Sequence, residues 1–268
     1  MKPALAICAS HVFARHQNCL LENNMFRLLK ALLLTLALTA LSFFATSCGS
    51  SSQSQVRVVH AISDGPALDI NVNTTKVFTD IAFGGVQPTP PAYTKVASGR
   101  VTLEAFDTGT TTPVINSTNA TLGGSSQYTA LLTGFLNGTG ANAPTFYTIP
   151  DNNAAPTSGN VNIRILDGSA NAPQGGFDVY IVPQNANIQS LTPQISGLLL
   201  GQGSSYQSLN ITGNVYEVIV TQHGNQQTPY INQNYTIPTG AIRTFVIVDN
   251  TGGVGGINGF PLELNDLN

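Results

Sequence analysis

Beyond residue 55 apolar and polar side chains take turns. Leu68, Ile70 and Val72 alternate with Asp69, Asn71 and Asn73, and Val101 to Phe106 alternates in the same way after Ser98-Gly99. This is the period-two pattern of strands with one buried face. Val56 to Asn73 reads as two short strands split by a turn at Ser63-Asp64-Gly65-Pro66, and Tyr128 to Leu132 reads as another strand. Gly, Pro or Asn interrupts almost every window of helical length after residue 48, so no large helix is expected there. The pattern predicts an all-β protein.

The pattern also recurs. Ile163-Arg164-Ile165-Leu166-Asp167-Gly168 repeats the character of Val56-Arg57-Val58-Val59-His60-Ala61, and the two runs then reach Pro173 and Pro66. Each continues into a strand led by aspartate, Asp69-Ile70-Asn71-Val72 and Asp178-Val179-Tyr180-Ile181, with Gly175-Gly176 as a two-residue insertion in the second. Further on, Gly99 to Leu103 aligns with Gly213 to Glu217, Pro113-Val114-Ile115 with Pro229-Tyr230-Ile231, and Tyr128 to Leu132 with Thr244 to Val248. Residues 151–160, made mostly of turn and linker residues, read as the linker between a first repeat at 56–150 and a second at 161–268. The expected fold is two tandem immunoglobulin-like antiparallel β-sandwich domains after an N-terminal signal helix. A single barrel built from both copies is the competitor, and an exposed Pro-rich seam argues against it.

Upstream of residue 55 the text changes. Arg27 and Lys30 precede a 14-residue apolar run, Ala31 to Phe44, and then Ala45-Thr46-Ser47-Cys48. This reads as a lipoprotein export signal over 25–47, with Cys48 as the lipidated residue. The run is too short for a membrane span, which needs roughly 20 apolar residues. Residues 48–55 read as a flexible polar tether, and residues 1–24 as an over-extended start with Met25 the true beginning. The competing reading is a cleaved signal peptide in which Cys48 is incidental. Cys48 is the only cysteine after residue 19, so no disulfide is available and lipidation accounts for the lone thiol. The expected location is extracytoplasmic and membrane-anchored: outer membrane, periplasm or cell surface.

Charge is sparse, 9% of the chain. From residue 49 there are six bases against twelve acids, a net charge of −6. No basic footprint for nucleic acid is present. Solubility rests on Asn, Thr, Ser and Gln, the vocabulary of strands and turns. Six Asn-x-Ser/Thr triplets follow from that composition.

At His60-Ala61-Ile62-Ser63-Asp64-Gly65-Pro66-Ala67-Leu68-Asp69-Ile70 the chain resembles the bacterial family known as domain of unknown function 4397. That family typically opens on a hydrophobic strand followed by His-Ala-Ser-Pro-Asp-Ala-Pro-x-Val-Asp-Val-Tyr. The resemblance covers residues 56 to 266 as two copies. The first copy has Ile62-Ser63 where the family has Ser-Pro, and the second has Asp167 where the histidine would stand. The resemblance implies an exported, surface-attached β-sandwich protein and no established activity.

His60, Asp64 and Asp69 form the one cluster of titratable residues close in sequence, and they are the candidate binding residues. Imidazole and carboxylates suit several divalent ions. The plainer reading makes Asp69 a turn cap and His60 a half-buried ring at a strand end. The opening of a calcium loop at Asp69 fails because Thr74 replaces the glycine of the sharp turn and Ile70 and Val72 alternate like core residues. There is no Gly-x-Ser-x-Gly elbow, and His223 reads as an exposed hairpin-tip residue. Glu104 and Glu217 are taken as matching strand positions, one residue off the alignment above, and read as solvent-facing. No catalytic residue, metal site or cofactor is therefore expected, and the protein is read as a non-enzyme. The expected role is a lipid-anchored envelope module for binding, adhesion or structure. Its partners would be the membrane, through the anchor, and a protein or glycan ligand, with no nucleic acid. The alternative is a carbohydrate-binding or carbohydrate-acting envelope protein. Tyrosines on an exposed sheet face would favour that alternative, and tyrosines packed inside would count against it.

Overall fold

The computed structural model describes residues 52–253, 256–259 and 261–266, apart from the side chains of 116 and 117. The export signal, Cys48 and the first part of the tether lie outside the described residues. The first of two strand units of like sheet order, called copies for that likeness, supplies β1 (Gln53–His60), β2 (Leu68–Val72), β3 (Thr75–Ile81), β4 (Val86–Gln87), β5 (Thr94–Ala97), β6 (Gly99–Asp107), β7 (Pro113–Leu122), β8 (Gln127–Thr133) and β9 (Thr145–Asp151). The second supplies β10 (Val161–Asp167), β11 (Phe177–Pro183), β12 (Ile195–Leu198), β13 (Gln207–Leu209), β14 (Val215–Gln222), β15 (Ile231–Thr236), β16 (Ile242–Ile247) and β17 (Leu262–Asn265). The helical pieces among the described residues are single 3-10 turns of three residues each. The described residues are all-β, as the alternation requires.

The strands form four sheets. Each copy has an outer sheet, β3-β2-β6-β7 or β12-β11-β14-β15, and an inner sheet, β4-β1-β8-β9 or β13-β10-β16-β17, with β5 sharing the outer edge of β1. Val56 and Val58 of β1 pack with Ile70 of β2 and Leu103 of β6 to fill the first sandwich. Ile163 and Phe245 pack with Val179 and Val218 to fill the second. A third cluster, holding Val59, Leu131, Leu166 and Val246, joins the two inner sheets to each other. The result is a stack of four β layers.

That stacking explains the central strands. β1 lies parallel to β8 and β10 parallel to β16, while the other pairs are antiparallel. Parallel strands favour burial on both faces. From Val58 to His60 and from Ile163 to Asp167 the residues are buried without a break, so alternation is visible there only as a change of which core a residue enters.

Two boundaries differ from the sequence reading. β1 starts at Gln53, inside the expected tether: its first residues pair with β5 and β8, and the buried Ser54 hydroxyl donates to the Gly123 carbonyl at 2.8 Å. Polar composition looked like linker where the strand is held by its ladder. At the other boundary, β9 runs through Asp151, the first residue of the expected linker.

The copies are locked at their seam by close approach. A Cβ on Gly201 would enter the ring of Tyr147, and Gly201 has φ +77°, a conformation L side chains rarely adopt. Gly201→Ala is expected to destabilise the fold by about 1–3 kcal/mol through overpacking and backbone strain. Gly240→Ala, also at positive φ but with nothing within 4 Å of the new methyl, isolates the strain component. Equal losses in the two variants on urea denaturation would show that Tyr147 is not the tight neighbour.

Candidate functional site

Alternation places Arg57 between Val56 and Val58, which both face the first core, so its side chain must leave through the opposite face into the seam. Arg164, between Ile163 and Ile165, is sent the same way from the second copy. Both guanidiniums are buried, with side-chain exposures of 0% and 1%. Burial of charge is tolerated only with close partners.

The partners come in two matching sets. Arg57 Nε donates to Thr129 Oγ1 at 2.9 Å, and Arg164 Nε donates to Thr244 Oγ1 at 2.8 Å. Arg57 lies over the Tyr93 ring at 5.1 Å and Arg164 over the Tyr206 ring at 4.8 Å. The ion pairs cross the seam: Arg57 meets Asp266 of the second copy at 2.6 Å, and Arg164 meets Asp151 of the first at 2.5 Å. Thr129 and Tyr93 donate to Asp151, while Thr244 and Tyr206 donate to Asp266. Arg57 also lies 3.4 Å from Asp151. Two positive and two negative charges thus share one shielded layer.

The electrostatics follow. Burial opposes the Arg57 charge, but the carboxylates of Asp266 and Asp151 outweigh it and hold the pKa above its ordinary value. Burial pushes the phenols of Tyr93 and Tyr206 upward, so both stay protonated as donors. Beside this layer opens a cleft of about 570 Å³, lined among others by Asp151, Asn152, Arg164, Ser204, Ser205 and Tyr206. Its floor groups already hold partners within the protein. What the arrangement does chemically is to fix two sandwiches in one register.

The three residues singled out in the sequence are placed apart in role. The His60 ring is buried, its Nδ1 2.9 Å from the Ile81 carbonyl and its Nε2 without a hydrogen bond. A carbonyl only accepts, so Nδ1 carries the proton, and burial lowers the pKa. Asp64 is exposed and accepts from the Leu136 amide at 2.9 Å. Asp69 accepts from Lys76 Nζ at 2.7 Å and from the amides of Asp80 and Gly109, tying β2 to β3 and to the turn after β6. The Lys76 hydrogen bond leads in holding its pKa below the usual carboxylate value. Among the described residues no group of three or more His, Cys, Asp and Glu is placed to hold a metal ion.

Asp178 repeats the role of Asp69. It accepts from Ser196 Oγ, the Gly197 amide, the Gly224 amide and His223 Nδ1 at 2.8–3.0 Å. Burial works to raise its pKa, and these bonds, His223 first, bring it below the ordinary value. Ser, His and Asp meet here, yet Ser196 binds the carboxylate and lies 3.4 Å from Nδ1, the same nitrogen that faces Asp178. A nucleophilic triad sets the serine on the opposite ring nitrogen. His223 is half exposed, as read from the sequence, but it is pinned.

The sequence reading passed over the arginines, although the repeat itself sets Arg57 and Arg164 at the same place, each with apolar neighbours on both sides. A charged residue inside a continuous apolar run is the signal that would have found them.

The family model described as Domain of unknown function (DUF4397) matches residues 54–180, from the second residue of β1 through β10 to Tyr180 within β11. No curated protein matches the chain in sequence. Among solved structures, a DUF3823 family protein from Bacteroides ovatus ATCC 8483 is similar over 71% of this chain and 98% of its own, at 10% identity and a TM-score of 0.20. A score that low carries no argument about function. No helix among the described residues is long and apolar enough to cross a membrane.

Proposed function

We propose that the chain is a lipid-anchored, extracytoplasmic module for binding, adhesion or structure at the cell envelope, held at Cys48 and built from two copies of one strand-rich unit. The observation that carries this reading is the crossed pairing of Arg57 with Asp266 and Arg164 with Asp151. It engages the buried charges of the seam in holding the copies together, which makes a rigid body and leaves recognition to the loops and strand edges. The tyrosines weigh against the carbohydrate alternative: Tyr180 and Tyr216 are buried in the second copy, Tyr93 and Tyr206 cover the arginines, and Tyr147 packs on Gly201. The alternative keeps two supports, the seam cleft beside Tyr206 and the exposed ring of Tyr230.

Two experiments test the reading. Labelled palmitate is expected to enter the full-length protein and not its Cys48→Ser variant, and equal labelling would remove the anchor. A pull-down from envelope extract with the chain from residue 49 onward, set beside a glycan array, is expected to retain a protein partner. A specific glycan signal with no protein retained would replace this reading with the alternative.

A further inference from the structure

The face through which the copies meet is complementary to itself. Ala61 and Gly168 hold the same place in the two copies and touch across the seam, where a Cβ on Gly168 would stand 2.9 Å from that of Ala61. Val59 with Leu166, and Leu131 with Val246, are equivalent pairs in the same cluster. Away from this centre the contacts come in exchanged pairs. Arg57 reaches Asp266 while Arg164 reaches Asp151. The Tyr147 ring lies on Gly201, while Leu262 Cδ2 lies 3.6 Å from the Cβ position of Gly84.

Contacts that swap in this way define an isologous interface, the kind two identical bodies make about a two-fold axis. Each copy therefore carries an arginine and the aspartate that an equivalent arginine requires. The connection between the copies is slight. Asn153 is tied to Tyr93 and Gln127, and Asn160 to Ser208 and Gly240. Between them, residues 154–158 make only local hydrogen bonds, Ala154 to Asn152 and Asn160 to Thr157.

The geometry points to copy exchange between chains: the first copy of one chain takes the second copy of another across this face, and the reverse pair closes a dimer. The partner is a second molecule of this protein. The seams of the dimer repeat the contacts of the single chain, so the balance between the two forms turns on chain entropy and local concentration. Chains crowded on a surface would be linked by it. The inference rests on the seam alone and stands without the lipid anchor.

The test uses the chain from residue 49 to its end. Equal amounts of ¹⁴N- and ¹⁵N-labelled chain are unfolded in urea, refolded together at about millimolar concentration, and weighed by native mass spectrometry. Dimers of mixed mass are expected, their seam residues cross-linked between heavy and light chains. Deleting residues 154–157, which shortens the connection, is expected to raise the dimer fraction at least tenfold at equal concentration. Monomer only, in both the parent and the deletion variant, would overturn the inference. So would a dimer whose inter-chain cross-links map to strand edges while the seam links stay within one chain.

Discussion

Arg57→Met is expected to lower the free energy of unfolding by about 3–5 kcal/mol at pH 7, the usual result of removing one partner from a buried ion pair. Methionine fills the space but leaves Asp266 facing a shielded layer with no cation at 2.6 Å. Thr129 also loses the donor on its hydroxyl, which Arg164 alone approaches from 3.3 Å. The uncompensated carboxylate, rather than the lost attraction, dominates the loss. The double variant Arg57→Met with Asp266→Asn is therefore expected to be more stable than the arginine variant alone. A double-mutant cycle on urea denaturation reads the coupling directly. Losses below about 1 kcal/mol for the single variant would mean that water reaches this layer and that the seam is not the dry lock described.

How much of this was legible in the sequence depends on what each signal measures. Leu68, Ile70 and Val72 gave their strand and its buried face because one side of β2 faces a core and local alternation records that. The repeat was also visible, and its first strand was aligned correctly: Arg57 stands opposite Thr129 and Arg164 opposite Thr244. That pairing shows where the later alignment slipped. Thr244 matches Thr129, one position from the match made by sequence. In β6 and β14, Phe106 faces Asp69 while Thr221 faces Asp178, so Glu217 corresponds to Thr102 and Glu104 to Ile219. A shift of one residue turns every side chain to the other face of the sheet. Apolar runs buried on both sides carry no parity, so nothing in Val246-Ile247-Val248 announced the error.

Glu217 shows the consequence. Read as solvent-facing, it is 7% exposed, and its carboxylate accepts from the Asn185 amide at 2.6 Å. The segment after β11 folds back over the outer sheet, where Ile188 packs on Tyr180, Val182 and Ile219. Periodicity describes a strand and says nothing about which loop will cover it. The seam was hidden for a related reason: the partners of Arg57 and Arg164 lie at sequence separations that no local pattern joins.

The same seam-side strands carry the second large expectation, a pH dependence set by Asp167. Where the first copy buries His60, the second buries Asp167 at 0% exposure, and Oδ2 has no hydrogen-bond partner. Burial is the main cause that pushes its pKa up from 3.8 to about 8; the Ser169 amide pulls the other way, and Asp249 adds to the rise. Asp249 is itself raised by burial while accepting from the Ser169 hydroxyl and the Ala170 amide. A carboxyl that is protonated when folded and ionised when unfolded favours the fold below its unfolded pKa. That contribution declines as pH rises, by ~1.4 kcal/mol per pH unit between about 4 and 8, and is gone above the folded pKa. His60, lowered by burial, acts from the other side, removing stability as pH falls below its unfolded value near 6.5. Asp69 and Asp178, both lowered, remove stability as pH falls below their unfolded values near 3.8. Asp167→Asn keeps the shape and has no proton to lose. It is therefore expected to melt higher than the parent at pH 8, by several degrees, with the difference shrinking toward zero or reversing at pH 4. Parallel melting curves for parent and variant across this range would show that Asp167 is charged in the folded protein and has a partner beyond the Ser169 amide.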